Sequence, residues 1–261
     1  MEFERDTIIS YETVAEVTLC QEETLESIVP DACPDILRIV DVCGQATLSG
    51  KQAREGAAQV TGMVRACILY QPEGGGGLRR MEMGLPFTCQ AEAPGLTERG
   101  TVLASPRLRC AEARVLNPRK VLLRVDLAVD VTACQPSERP VCSGVTDCGT
   151  ENLCQKQYKG EDYLLCAVQE KPFTFSDQVR LQSGSGEAPV LLAARVQPVC
   201  TESKLIGSKL IFKGEVELYF LLQEPGGGLS AGHESMPFSQ IIEAAGAAEE
   251  GECQVDVEVA S

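Results

Sequence analysis

One order of residues occurs twice in this 261-residue chain, and the repetition constrains the fold more than any other feature. A strand-like run from Gly62 to Tyr70 leads into Gly74-Gly75-Gly76-Gly77 and then Leu85-Pro86-Phe87. Further on, Gly214 to Leu222 leads into Gly226-Gly227-Gly228 and then Met236-Pro237-Phe238, and Ala93-Pro94-Gly95 is echoed by Ala244-Ala245-Gly246. The offset is 152 before the glycine loop and 151 after it, so the lost residue falls in the loop. A fold tolerates a deletion there, whereas a one-residue slip inside a strand turns every buried side chain outward. The chain reads as two tandem copies of one domain, a division its length supports.

Both copies are expected to be all-β. From Val121 to Ala133, Val121, Leu123, Val125, Leu127, Val129, Val131 and Ala133 alternate with residues such as Arg124, Asp126 and Asp130, the period of a strand with one buried face. Cys253, Val255, Val257 and Val259 give the same signal near the C-terminus. Glycine runs and proline turns separate these stretches, as in antiparallel sheets joined by hairpins. The expected architecture is two tandem antiparallel β-sandwich-like domains. Helical character is confined to a short turn near Pro34-Asp35-Ile36-Leu37-Arg38-Ile39-Val40 and part of the segment from Glu151 to Lys159. The first domain is placed at 1–134, a linker containing Pro136, Pro140, Gly144 and Gly149 at 135–159, and the second domain at 160–261. Adding the offset puts the counterpart of the 121–133 strand near positions 272 to 284, so the second domain is expected to be truncated, with its C-terminal strand missing.

With 44% hydrophobic residues, 5% aromatics and no tryptophan, the cores must be built from aliphatic side chains. That composition disfavours sugar-binding modules and base-stacking platforms. A formal charge of -15 repels a phosphate backbone, so nucleic acid is not an expected partner. Neither a signal-peptide pattern at Met1-Glu2-Phe3-Glu4-Arg5-Asp6 nor an apolar run of about eighteen residues is present, and the expectation is a soluble cytoplasmic protein without membrane insertion. The thirteen cysteines are odd in number and read as reduced thiols. Of these, Cys67, Cys89, Cys110 and Cys134 occupy strand positions suited to small buried hydrophobes.

No constellation of residues makes a convincing catalytic, cofactor or metal site, and none is assigned. His233, the single histidine, follows the second glycine loop and has no counterpart near Arg80-Met81-Glu82, which suits a solvent-facing hairpin residue better than a catalytic base. The glycine runs lack the Gly-Lys-Ser/Thr ending of a phosphate cradle. Cys142, Cys148 and Cys154 stand six apart, wider than the usual pairing of zinc ligands, and read as free thiols. Glu161-Asp162 and Glu249-Glu250 read as solvated loop charges. Pro86-Phe87 and Pro237-Phe238 mark the repeat as core anchors. From Arg99 to Arg124 seven cations stand against Glu112 alone, whereas after Lys213 there are ten acids and no Lys or Arg. One reading is head-to-tail self-association of the copies; the other is ordinary outward strand faces.

The residues Ile28-Val29-Pro30-Asp31-Ala32-Cys33-Pro34-Asp35-Ile36-Leu37-Arg38-Ile39-Val40, then Gly62 through Tyr70, then Leu85-Pro86-Phe87, resemble the SPOCS domain family of SipL-like spore-morphogenesis proteins. The likeness covers most of residues 10 to 134 and, less closely, 165 to 261. Members often end in a LysM domain, and no LysM-like segment is visible here. The resemblance implies a non-enzymatic protein-interaction scaffold in endospore coat and envelope assembly, acting in the mother cell at the forespore surface with coat or envelope morphogenesis proteins as partners. Two alternatives remain open: a thiol- or metal-dependent enzyme using the linker cysteines, and a general cell-envelope binding module.

Overall fold

The computed structural model describes residues 2–146, 156, 163–179, 188–244, 246–247 and 251–260. Among them the protein is all-β, with nine strands in three antiparallel three-stranded sheets and no helix. The first copy contributes β1 (Glu2–Ile28), β2 (Ile36–Arg54), β3 (Ala57–Pro72), β4 (Arg79–Glu92), β5 (Thr101–Asn117) and β6 (Lys120–Thr146), arranged as sheets β1-β6-β5 and β2-β3-β4. The second contributes one sheet, β7-β8-β9, from β7 (Val190–Ile206), β8 (Lys209–Gln223) and β9 (Leu229–Glu243).

The two sheets of the first copy face each other. β5 runs beside β2 at one margin and β1 beside β4 at the other, which leaves the central strands β6 and β3 facing across the core. The period of two delivers alternate side chains to that core: Val121, Leu123, Val125, Leu127, Val129, Val131 and Ala133 of β6 are all buried, as are Val60, Val64, Ala66, Ile68 and Tyr70 of β3. Each fully buried Val or Leu contributes about 1.5–3 kcal/mol, so the strand with the clearest alternation is a substantial source of stability.

Three departures from the expected organisation have physical causes. The turn expected near residues 34–40 gives way to strand from Ile36 onward. The alternation there is obscured because β2 carries register shifts at Ile36/Arg38, Ile39/Asp41 and Leu48/Gly50, and each bulge resets which face is inward. Residues 135–146, placed in the linker, continue β6 and pair with β1 as far as Glu2↔Thr146. Pro136 and Pro140 are tolerated because β5 stops pairing at Cys134, which frees one side of β6 to be an edge. Cys110, expected to be buried, is exposed because a register shift at Leu108/Cys110 turns it outward, whereas Cys89 and Cys134 are buried and Cys67 is half-buried. The helical expectation at 151–159, the linker beyond 146 apart from Lys156, Cys148, Cys154, Glu161-Asp162, Ala245 and Glu249-Glu250 lie outside the described residues.

Candidate interaction surface

The repeat is reproduced in three dimensions down to individual hydrogen bonds. Gly62 of β3 pairs with Phe87 of β4, and Gly214 of β8 pairs with Phe238 of β9. In each case a Cβ on the glycine would overlap the phenylalanine ring and a backbone carbonyl of the preceding strand, Thr47 in one copy and Val199 in the other. The absent side chain is what lets the ring lie flat across the neighbouring strand. Phe87 and Phe238 are both buried, as the Pro-Phe marks suggested. The Ala-x-Gly echo is equally concrete. Ala93 N–H donates to the Gly56 carbonyl at 2.9 Å and Ala244 N–H to the Ser208 carbonyl at 2.7 Å, with Gly95 and Gly246 at φ of 90° and 88°.

The entrance motif of the first copy is a structural clamp. Arg119, in the β5–β6 turn, donates to the carbonyls of Val29 (2.9 Å) and Cys33 (2.7 Å) and to the carboxylates of Asp31 (3.1 Å) and Asp35 (3.2 Å). Val29 and Ile36 N–H groups donate to the carbonyls of Arg119 and Pro118, and Tyr70 Oη donates to the Pro34 carbonyl at 3.4 Å. Burial pushes the Tyr70 phenol up to about 12, which keeps it a proton donor there.

The cations between Arg99 and Arg124 are largely answered within the first copy. Lys120 and Arg124 pair with Glu26 and Glu22 of β1 across the sheet, and Arg107 pairs with Asp130 at 2.6 Å. Counting charge along one stretch missed these partners: β1 supplies Glu22 and Glu26 about a hundred residues earlier, and Asp130 follows on β6 just past the end of the stretch. Among the described residues the copies meet where Ser105 Oγ donates to Glu258 at 2.6 Å, Gln45 Nε2 to the Val196 carbonyl at 3.2 Å, Cys67 Sγ to the Leu192 carbonyl at 3.4 Å and Tyr11 N–H to the Leu165 carbonyl at 2.7 Å, and where Lys51 pairs with Glu170.

Of the residues weighed for chemistry, His233 is exposed on β9, stacked on Tyr219 with ring centroids 4.6 Å apart and hydrogen-bonded to Glu217. That contact holds the Glu217 carboxyl below its ordinary range. Cys142 is exposed. A thiol pair that sequence reasoning did not single out is Cys43 and Cys67, directly opposite each other on β2 and β3. The hydrogen bond between them lowers Cys43 to about 7, while the same contact and burial push Cys67 up. The register of a bulged strand brings them together, and no local motif signals it.

The least complete surface lies on the second copy. Its core consists of Phe212, Val216 and Phe238, with Phe173, Phe175, Met236, Ile242, Val255 and Val257 packed around it. Leu218 and Phe220 of β8 are only half-buried, whereas their first-copy counterparts Ala66 and Ile68 are 2% and 0% exposed. The strand expected at Cys253 to Val259 is not formed: Val255, Val257 and Val259 are half-buried and Asp256 and Glu258 exposed, but Cys253 is exposed and residues 251–260 belong to no strand.

Residues 190–261, which begin at β7 and take in the Gly214–Phe238 pair, match the family model described as SipL, SPOCS domain. No curated protein and no solved structure matches the chain. Over residues 190–261, the greater part of the second copy, the chain is thus similar to a SPOCS domain of the SipL kind.

Proposed function

We propose that this protein is a non-enzymatic interaction scaffold in assembly of the endospore envelope, acting in the mother cell at the forespore surface. The observation that carries the reading is the SPOCS domain match over residues 190–261, which points to a sporulation-related role. The fold supports it, because aliphatic sheets with a half-covered apolar face on the second copy suit binding another polypeptide. Coat or envelope morphogenesis proteins are the proposed partners. A fluorescent fusion of the whole gene product, followed through sporulation in the native host, tests this. A shell of fluorescence around the forespore is the expected result. A diffuse signal confined to vegetative cells overturns the proposal.

A further inference from the structure

Across β2 and β3 the register sets Cys43 directly opposite Cys67, and among the described strands no other two cysteines face each other in this way. Opposed residues of an antiparallel pair have Cα atoms about 4.5–5.5 Å apart. A disulfide spans about 4.4–6.8 Å between Cα atoms, so the two strands already hold these cysteines at bonding distance. Both are free thiols and both are half-buried, which leaves them within reach of a small oxidant. The hydrogen bond between them favours the thiolate of Cys43, against the opposing effects of burial and of Asp41.

The pair also lies where the two copies meet. Ala66 and Ile68 point into the first core, so Cys67 between them points out of the other side of the sheet. There its Sγ donates to the carbonyl of Leu192 at 3.4 Å. Leu192 is 1% exposed, and it is the residue that the β7–β8 register skips between Leu191 and Ala193. A bulge of this kind leaves its extra residue out of the ladder, and the Cys67 thiol supplies a donor to it. Gln45, two residues from Cys43 on β2, adds its bond to the Val196 carbonyl of the same strand.

We infer that Cys43 and Cys67 form a reversible oxidation site, closed to a cross-strand disulfide by hydrogen peroxide, and that closing it loosens the hold of the first copy on β7. The Cys43 thiolate attacks one peroxide oxygen, the O–O bond breaks, hydroxide leaves to become water, and Cys43 is oxidised to a sulfenic acid. The Cys67 sulfur then attacks the Cys43 sulfur and the S–O bond breaks. Hydroxide leaves and takes the Cys67 proton as a second water. Two thiols have then lost two electrons, and one peroxide has been reduced to two waters. A dithiol reductant restores both thiols by thiol–disulfide exchange. The disulfide carries no S–H, so its formation takes from the Leu192 carbonyl the donor it has in the reduced chain.

The test uses the 261-residue chain, fully reduced, diluted and treated with hydrogen peroxide. Remaining thiols are blocked with N-ethylmaleimide, and the digest is mapped by mass spectrometry. Expected is a Cys43–Cys67 linked peptide about tenfold more abundant than any other disulfide, on a chain that stays monomeric in a non-reducing gel and reverts with dithiothreitol. Amide hydrogen exchange at residues 190–196 should be about fivefold faster in the oxidised chain, the effect of losing one hydrogen bond. Cys43→Ser keeps the Cys67 donor, and after peroxide it should show neither the linked peptide nor faster exchange. Cys67→Ala removes that donor without oxidation and should speed exchange at residues 190–196 by a similar factor with no peroxide added. A mixture of disulfides with no preference for this pair overturns the site, as does Cys43 ending as a sulfinic acid with Cys67 unlinked. The linked peptide with unchanged exchange at 190–196 overturns the loosening of β7. None of these readouts involves a spore, so their failure leaves the localisation test standing, and the reverse.

Discussion

Arg119 satisfies two backbone carbonyls and two carboxylates with one planar head, which is why a single side chain can hold the loop from Val29 to Asp35. Arg119→Ala leaves those acceptors without their charged donor and should lower the stability of the first copy by about 2–3 kcal/mol in urea unfolding. Arg119→Lys should restore less than half of that, because an ammonium cannot fork to four acceptors. At Cys43 the expectation concerns rate. Its thiol, held at about 7 by the hydrogen bond with Cys67, gains thiolate as pH rises through neutrality. Iodoacetamide labelling followed by mass spectrometry should therefore climb across about pH 6 to 8 at Cys43. Cys89 and Cys134, whose thiols burial pushes up, should stay slow over the same range. Equal labelling of the three sites would contradict the assignment.

At the scale of strands, the glycine–phenylalanine pairs fix the register of β3 on β4 and of β8 on β9. Gly62→Ala and Gly214→Ala should each destabilise by about 1–3 kcal/mol, the usual cost of forcing atoms into a filled space. In a Phe87→Leu background Gly62→Ala should cost less, since the ring that blocks the methyl is gone, and a double-mutant cycle measures that coupling. These pairs were legible in the sequence because both members recur, the glycine at an offset of 152 and the phenylalanine at 151, with the lost residue in the loop between them. So was β6, where thirteen residues alternate without a break. β2 was not legible, because three register shifts scramble its alternation, and the extension of β6 past Cys134 was hidden by two prolines that only an edge accepts. The alternation of Cys253 to Val259 predicted a strand with one buried face, whereas residues 251–260 form no strand, Cys253 is exposed and only Val255, Val257 and Val259 are half-buried. It could not reveal that residues 251–260 pair with no strand among the described residues, because the pattern reports burial and not pairing.

For the molecule as a whole, the two copies share one design and differ in how much core they close. The first buries the facing sides of its two sheets against each other, whereas the second has a small core of Phe212, Val216 and Phe238. Urea unfolding should accordingly proceed in two steps, and limited proteolysis at the lower midpoint should cut the second copy first and release a resistant fragment of the first. A single cooperative transition would contradict this. The charge asymmetry was visible in the sequence, but its meaning was not, since the partners of Lys120 and Arg124 lie on β1 and only the fold brings them across. Pairing of Glu2 with Thr146 and of Ile28 with Lys120 also sets an order of events during synthesis. The first strand cannot begin to pair until Lys120 has been made and is not fully paired until Thr146, so the contacts that close this domain are long-range ones of the kind that slow folding.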